Sequence, residues 1–258
     1  MNAAPAENFT LETLLAVRHW SDKLISFRLS RPAGFRFIPG QFARLGLPQG
    51  TGKLWRAYSM VSAPWDDYLE FFSILVPDGQ FTSRLKAMQA GDTLLLDNKA
   101  NGFFTADRLP NAQQLWLLAT GTGLAPYLSI LQQPELWQRF EHIVLVHGVR
   151  EAGDLAYQAE IAALRSHPLW AEHGHKLIYL PVVTRHAPAG ILDARIPALI
   201  DDGRLAAAAG LRPSPEHSRF MVCGNPQMVA STFATLVKQG YSLSRLKSPG
   251  QIVLENGW

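Results

Sequence analysis

Four consecutive residues, Arg56-Ala57-Tyr58-Ser59, have the chemistry to hold a phosphorylated planar ligand. A guanidinium pairs with phosphate, a phenol ring stacks on a flat heterocycle, and a hydroxyl reaches a ring nitrogen. The same residues, with Met60 after them, also suit an ordinary half-exposed strand, so their surroundings must decide. A second stretch, Pro77-Asp78-Gly79-Gln80-Phe81-Thr82-Ser83, places turn chemistry ahead of a segment with helical spacing. Its N–H groups and the hydroxyl of Thr82 or Ser83 suit a diphosphate, and simple capping of the helix is the alternative.

Two further stretches share one pattern. Leu115-Trp116-Leu117-Leu118-Ala119 runs into Thr120-Gly121-Thr122-Gly123-Leu124-Ala125-Pro126, and Phe220-Met221-Val222-Cys223 runs into Gly224-Asn225-Pro226-Gln227-Met228. Each reads as a buried strand, a glycine turn and a helix start, with proline preset for the first helical turn. Such turns expose N–H groups to an anion or a polar ring edge, and two of them at strand ends define a crevice. Neither is a Walker loop, because no Gly-Lys-Ser/Thr follows. Pro126 stands where the dinucleotide fingerprint has its third glycine.

Arginines follow the ends of successive apolar runs: Arg150 in Val146-His147-Gly148-Val149-Arg150, Arg185 in Val182-Val183-Thr184-Arg185, and Arg195 in Leu192-Asp193-Ala194-Arg195. An NAD-binding fold usually carries an acidic residue at such an end, whereas arginines converge on a 2′-phosphate and favour NADP. Each arginine alone is more often a solvated surface charge. Cys223 has the chemistry of a thiol nucleophile, but no partner histidine motif accompanies it, and a packed apolar cysteine is the stronger reading. His173-Gly174-His175 lacks further ligands, so no metal site is expected.

These residues need a scaffold. Residues 14–17, 24–29, 42–47, 55–60, 68–76 and 93–96 alternate or cluster apolar side chains as short strands do, separated by Pro-Gly, Gly-Thr-Gly and Pro-Asp-Gly turns. Only residues 81–88 have helical spacing there, so a small antiparallel barrel or sandwich is expected. Beyond Leu109-Pro110 the apolar runs become continuous, at residues 115–119, 143–147, 177–183 and 219–223. They alternate with helical stretches at 124–132, 155–164, 196–201 and 227–238, which predicts a doubly wound parallel sheet. The expected division is residues 1–108 and 109–258. Ala206 to Ala209 reads as helix or loop filler.

With 258 residues, 47% hydrophobic and 17% charged, the chain is long enough for two modest cores. A net charge of +3 is too small to point to nucleic acid but suits an acidic protein partner or a phosphorylated ligand. One cysteine leaves no disulfide framework and no built-in four-cysteine cluster. No signal-peptide pattern or membrane-length apolar run occurs, so a cytoplasmic protein is expected. The chain ends Gln251-Ile252-Val253-Leu254-Glu255-Asn256-Gly257-Trp258, a strand leading to an indole that gains by stacking on something.

Taken in order, these motifs, with Asn101-Gly102-Phe103-Phe104 and Arg195-Ile196-Pro197-Ala198-Leu199-Ile200, resemble the bacterial ferredoxin/flavodoxin–NADP reductases with a C-terminal tryptophan. The resemblance covers nearly the whole chain. It implies an FAD-binding antiparallel barrel followed by an NADP-binding α/β domain. It further implies FAD on Arg56, Tyr58, Ser59 and Met60, with Tyr58 against the isoalloxazine, Ser59 near its N5, and the diphosphate on Gly79, Gln80, Phe81 and Thr82. Thr120, Gly121, Thr122, Cys223 and Gly224 would surround the nicotinamide and its diphosphate, and Arg150, Arg185 and Arg195 the 2′-phosphate end. Trp258 would help enclose the flavin or its adenine, and Glu255 would relay a proton or orient the nicotinamide. Tyr58, Ser59, Cys223, Glu255 and Trp258 are thus the expected catalytic set, with no metal. The implied activity is hydride exchange between NADP(H) and FAD with one-electron exchange with ferredoxin or flavodoxin, whose acidic face would meet Lys53 and Arg84. A monomer is expected. Alternatives are a reductase for an oxygenase, a free flavin or a ferric siderophore, or, outside enzymes, a flavin-binding redox sensor.

Overall fold

Alternating burial organises the first hundred residues into antiparallel strands. The computed structural model describes residues 8–257. Strands β1 (Phe9–Ser21), β2 (Leu24–Ser30), β3 (Phe42–Gln49), β4 (Gly52–Ser59) and β5 (Tyr68–Ile74) precede helix α1 (Thr82–Ala87) and strand β6 (Thr93–Asp97). They form one sheet in the order β4-β3-β6-β1-β2-β5. A bridge between Met60 and Phe71 ties the edge strands together, and Ile25, Phe27, Leu45, Phe71, Phe81 and Leu96 fill the interior. β1 is far longer than the predicted 14–17. Register shifts between Leu14 and Ala16, and again between His19 and Ser21, break its period, so the alternation is legible only in its middle.

The second half alternates strand and helix. It runs β7 (Gln114–Thr120), α2 (Ala125–Ile130), α3 (Pro134–Arg139), β8 (His142–Val149), α4 (Gln158–Leu164), β9 (Leu177–Val183), α5 (Ile196–Asp201), α6 (Arg204–Ala209), β10 (Ser218–Gly224), α7 (Pro226–Lys238) and β11 (Ile252–Asn256). The five strands are parallel in the order β11-β10-β7-β8-β9. β7 shows why its run is continuously apolar: Leu115, Leu117 and Ala119 enter one core, while Trp116 and Leu118 enter another on the opposite face. The chain moves from β7 to β8 and β9 on one side, then crosses to β10 and β11, so the switch point lies between β7 and β10.

Details depart from the sequence reading. Gly121–Leu124 forms a 3-10 turn before α2, and α4 starts at Gln158 because Tyr157 takes a left-handed φ of 60°. α3 was not predicted. The alanine run lies in α6, which Gly210 closes at φ 65°.

The halves meet along an apolar seam. Leu24, Val61 and Phe72 of the barrel share a core with Tyr127, Leu128 and Leu131. Ser129 Oγ donates to Ser62 O at 2.8 Å and Gln132 Nε2 to Val61 O at 3.0 Å. Tyr157 Oη donates to Glu70 Oε1 at 2.8 Å, and Lys23 Nζ lies 2.8 Å from Asp154 Oδ2.

Candidate active site

The two glycine turns come together at the switch point. A Cβ on Gly123 would stand 2.6 Å from Cys223 O, and one on Gly224, at φ +138°, would stand 2.8 Å from Thr120 O and 2.9 Å from its nitrogen. Only glycine allows this approach. Thr120 Oγ1 accepts the Asn225 N–H at 3.0 Å, and Asn225 Oδ1 caps α7 by accepting from Gln227 and Met228 N–H. Thr122 is buried, while Thr120 and Gly121 remain part-exposed at the crevice.

Ser59, Cys223 and Glu255 converge here from three strands. Register pairs Cys223 with Glu255 across β10 and β11. Ser59, at the end of β4 in the barrel, donates from Oγ to Glu255 Oε2 at 3.4 Å, and the Cys223 thiol donates to the same oxygen at 3.9 Å. Burial pushes the Glu255 carboxyl up to about 7, against the opposing pull of the bonds from Ser59 and Cys223. Burial, with Glu255 beside it, holds the Cys223 thiol well above its ordinary value. Cys223 is therefore a buried, protonated thiol, and Glu255 is the group poised to exchange a proton near neutrality. Beneath them the buried Tyr127 hydroxyl lies 3.1 Å from Leu118 O and 2.8 Å from Met221 O, tying β7 to β10.

On the barrel side Tyr58 packs at 5.9 Å from Phe27 and 5.6 Å from Phe81, with part of its ring exposed. Its partial burial raises the phenol to about 12, so it stays protonated. Arg56 is exposed, Met60 is buried, and Phe81 is buried, which leaves Phe81 only its N–H to offer a ligand. Gly79 sits in a tight loop with Asp78 at φ 58°. The Thr82 hydroxyl is engaged within that loop, donating to Val76 O at 3.1 Å and accepting from Val76 N–H at 3.2 Å. Helix α1 has no side-chain cap, so the capping alternative does not account for Thr82. Gln80 Oε1 accepts from Gln49 at 3.3 Å. Lys53 and Arg84 both lie beside Pro48, one as its strand partner and the other donating to its carbonyl.

At the far end of the crevice Arg150, Arg185 and Arg195 are exposed. Arg150 and Arg185 are joined through the backbone, Arg185 N–H to Arg150 O at 2.9 Å. Arg195 is the residue before α5. This donor set fits the two groups the sequence points to: exposed arginines past successive strand ends and glycine-turn N–H groups for a phosphorylated nucleotide, and a part-exposed aromatic beside a hydroxyl for a flat ring. Trp258 lies outside the described residues. Gly257 N–H donates to Gly224 O at 2.8 Å, so the tail approaches the crevice. Among the described residues no cluster of histidine, cysteine and acidic side chains is arranged to hold a metal.

Sequence reasoning missed His147. It is fully buried, its Nε2–H donates to Gly121 O at 3.3 Å, and Nδ1 has no partner among the described residues. Burial pulls it down to about 4, so it is neutral. Its only signal was a polar residue inside an apolar run. Also unseen was a cleft of about 480 Å³ between the halves, lined by both apolar and charged side chains. Its Arg28–Glu70 and Arg18–Glu160 pairs, with Tyr157 on Glu70, make it part of the seam. None of the predicted site residues lines it.

Comparison with known proteins agrees with this architecture. Residues 14–99 match the oxidoreductase FAD-binding domain family and residues 117–233 the oxidoreductase NAD-binding domain family. "Ferredoxin--NADP reductase A" of Sorangium cellulosum is 42% identical over 97% of this chain and 90% of its own length. "Ferredoxin--NADP reductase" of Pseudomonas aeruginosa is 41% identical over 97% of this chain and 98% of its own length. The crystal structure of a ferredoxin NADP+ reductase from Neisseria gonorrhoeae with bound FAD and NADP superposes with a TM-score of 0.91, at 45% identity, covering 97% of this chain and 99% of that one. With its barrel, its switch-point crevice and relatives of this identity along nearly its whole length, the chain belongs to the ferredoxin/flavodoxin–NADP reductase family.

Proposed function

We propose that this chain is an FAD-dependent reductase that exchanges hydride with NADP(H) and single electrons with a ferredoxin or flavodoxin. The observation that carries the reading is the convergence of Ser59 from the barrel with Cys223 and Glu255 from the parallel sheet, at the switch point between two abutting glycine turns. Bound FAD supplies the conversion between two-electron hydride chemistry and one-electron transfer.

The protein's part is binding, alignment and proton control. Arg56 pairs with the flavin's phosphates, Tyr58 presents its ring, and Ser59 and Met60 line the strand end. Gln80 and Phe81 offer N–H groups, and Gly79, whose own N–H donates to Val76 O at 3.1 Å, leaves room for the Thr82 hydroxyl in the loop. Thr82 shapes that loop through its bonds to Val76 and donates by its own N–H. Thr120, Gly121, Thr122 and Gly224 enclose the nicotinamide end, with Cys223 closing the floor. Arg150, Arg185 and Arg195 hold the 2′-phosphate. Glu255 holds or releases a proton on the oxygen that Ser59 and Cys223 bond. Trp258, one residue past Gly257, is assigned to the flavin face. The division at residues 1–108 and 109–258 is supported by the matched segments, 14–99 and 117–233. The acidic face of the partner meets Lys53 and Arg84. A cytoplasmic monomer completes the reading, and no helix among the described residues is long and apolar enough to cross a membrane.

Anaerobic titration of the purified protein with NADPH and then NADH, followed in the visible spectrum, tests this. A yellow protein bleached by low NADPH and poorly by NADH is expected. A colourless protein that also fails to take up added FAD would sink the flavin assignment, and equal bleaching by both nucleotides would sink the 2′-phosphate assignment.

A further inference from the structure

One carboxylate stands among the cations at the arginine end. Glu151 directly follows Arg150, just past β8, the second strand of the parallel half. Its Oε1 lies 3.8 Å from Arg185 Nη1 and its Oε2 3.6 Å from His186 Nδ1. The backbone builds the group: Thr184 N–H donates to Val149 O at 3.0 Å and Arg185 N–H to Arg150 O at 2.9 Å. His186 takes a left-handed φ of 49°, a conformation that costs energy for a non-glycine residue. The side chains of Arg185 and Glu151 are 60% and 42% exposed, so their pairing is readily broken.

The second strand of a dinucleotide-binding fold ends, in NAD enzymes, on an acid that accepts from the ribose 2′-hydroxyl, and in NADP enzymes on arginine for the 2′-phosphate. This strand carries both, side by side. We propose that Glu151 sets the margin by which this protein prefers a 2′-phosphate to a 2′-hydroxyl. It engages Arg185, must yield it to the phosphate, and repels that group once bound. A phosphate monoester carries a charge of about −1.5 to −2 at pH 7, and a carboxylate within roughly 8 Å of it is not screened out by physiological salt. With a 2′-hydroxyl the repulsion is absent and Glu151 is an acceptor. The inference rests on the reading of Arg150, Arg185 and Arg195 as the 2′-phosphate site.

The test compares Glu151→Gln and Arg185→Ala holoproteins with the parent. NADP+ and NAD+ are titrated by difference absorbance, and 2′-phospho-AMP and AMP by calorimetry, which needs no turnover. Glu151→Gln is expected to tighten NADP+ and 2′-phospho-AMP by about three- to tenfold, as removal of one nearby charge should, and to leave NAD+ and AMP unchanged or weaker. The gain should shrink in high salt. If Arg185→Ala weakens NADP+ while Glu151→Gln leaves the NADP+/NAD+ ratio unchanged or lowers it, the role of Glu151 is overturned and the arginine site stands. If Arg185→Ala does not weaken NADP+ relative to NAD+, the arginine site itself is overturned, and the role of Glu151 with it.

Discussion

Two carboxylates flank β7 at the carboxyl end of the same sheet, and their surroundings differ in kind. Glu255, on the β10–β11 side, is largely withdrawn from water and bonded by one hydroxyl and one thiol, so burial governs its proton. Glu151, on the β8–β9 side, is half-exposed beside an arginine and a histidine, so neighbouring charge governs what it does. One end of the crevice therefore responds to pH, and the other to ionic strength and to the charge of its ligand. A site that must align a reacting ring and also choose between two nucleotides gains from this separation, because each task is tuned by a different physical variable.

The comparison breaks most severely at the deep end. Gly224→Ala adds a Cβ against Thr120 backbone at a φ of +138°. Strain and overpacking together should cost about 4 kcal/mol of stability, and NADPH-driven ferricyanide reduction should fall by roughly a hundredfold or more as the turns part. Thermal unfolding and steady-state rates check both.

Glu255→Gln comes next. With its carboxyl raised from 4.5 to about 7, the folded wild type holds an extra proton across that window and loses stability as pH rises through it. The glutamine variant, which cannot ionise, should gain on the wild type by about 3 kcal/mol between pH 4 and pH 8. Urea unfolding at the two pH values reads this, and the steady-state rate should lose its inflection near pH 7. A gain that is the same at both pH values would show that burial does not govern Glu255. His147 opposes Glu255. Lowered from 6.5 to about 4, it contributes stability above pH 6.5 that is lost as pH falls toward 4.

Arg185→Ala sharpens the outer end. Loss of a guanidinium–phosphate contact should raise KM for NADPH by about 10- to 50-fold and leave NADH nearly unchanged. The smallest effect belongs to Ser59→Ala. Its bond to Glu255 is long, at 3.4 Å, so removing it should raise the Glu255 midpoint by less than about one unit, seen as a small shift in the pH–rate profile.

The sequence made the frame legible because burial leaves a period. Two-sided burial of β7 and β8 reads directly as unbroken apolar runs, and the barrel strands read wherever alternation is intact. It failed in β1, where register shifts break the period, and at Tyr157, whose left-handed turn delays α4. The strand-end arginines and glycine turns were visible as residue types in place. His147 and the Tyr157–Glu70 bond were not, because each depends on a partner, Gly121 O or a carboxylate 87 residues away, that only the fold supplies. Glu151 was in plain view, but a strand end read as basic on Arg150 alone gave no weight to its neighbour.

The seam between the halves bears on how the molecule comes apart. Leu24, Val61 and Phe72 lie in the same core as the inner face of β7 and helix α2, and Ser129, Gln132, Tyr157 and Asp154 bond to the barrel across it. Each half also has a core of its own, but the third core is shared across the seam, so heating should melt both in one cooperative transition. A protease that cut between β6 and β7 would leave a nicked pair still clasped together, and separating the pieces would expose that shared seam to water.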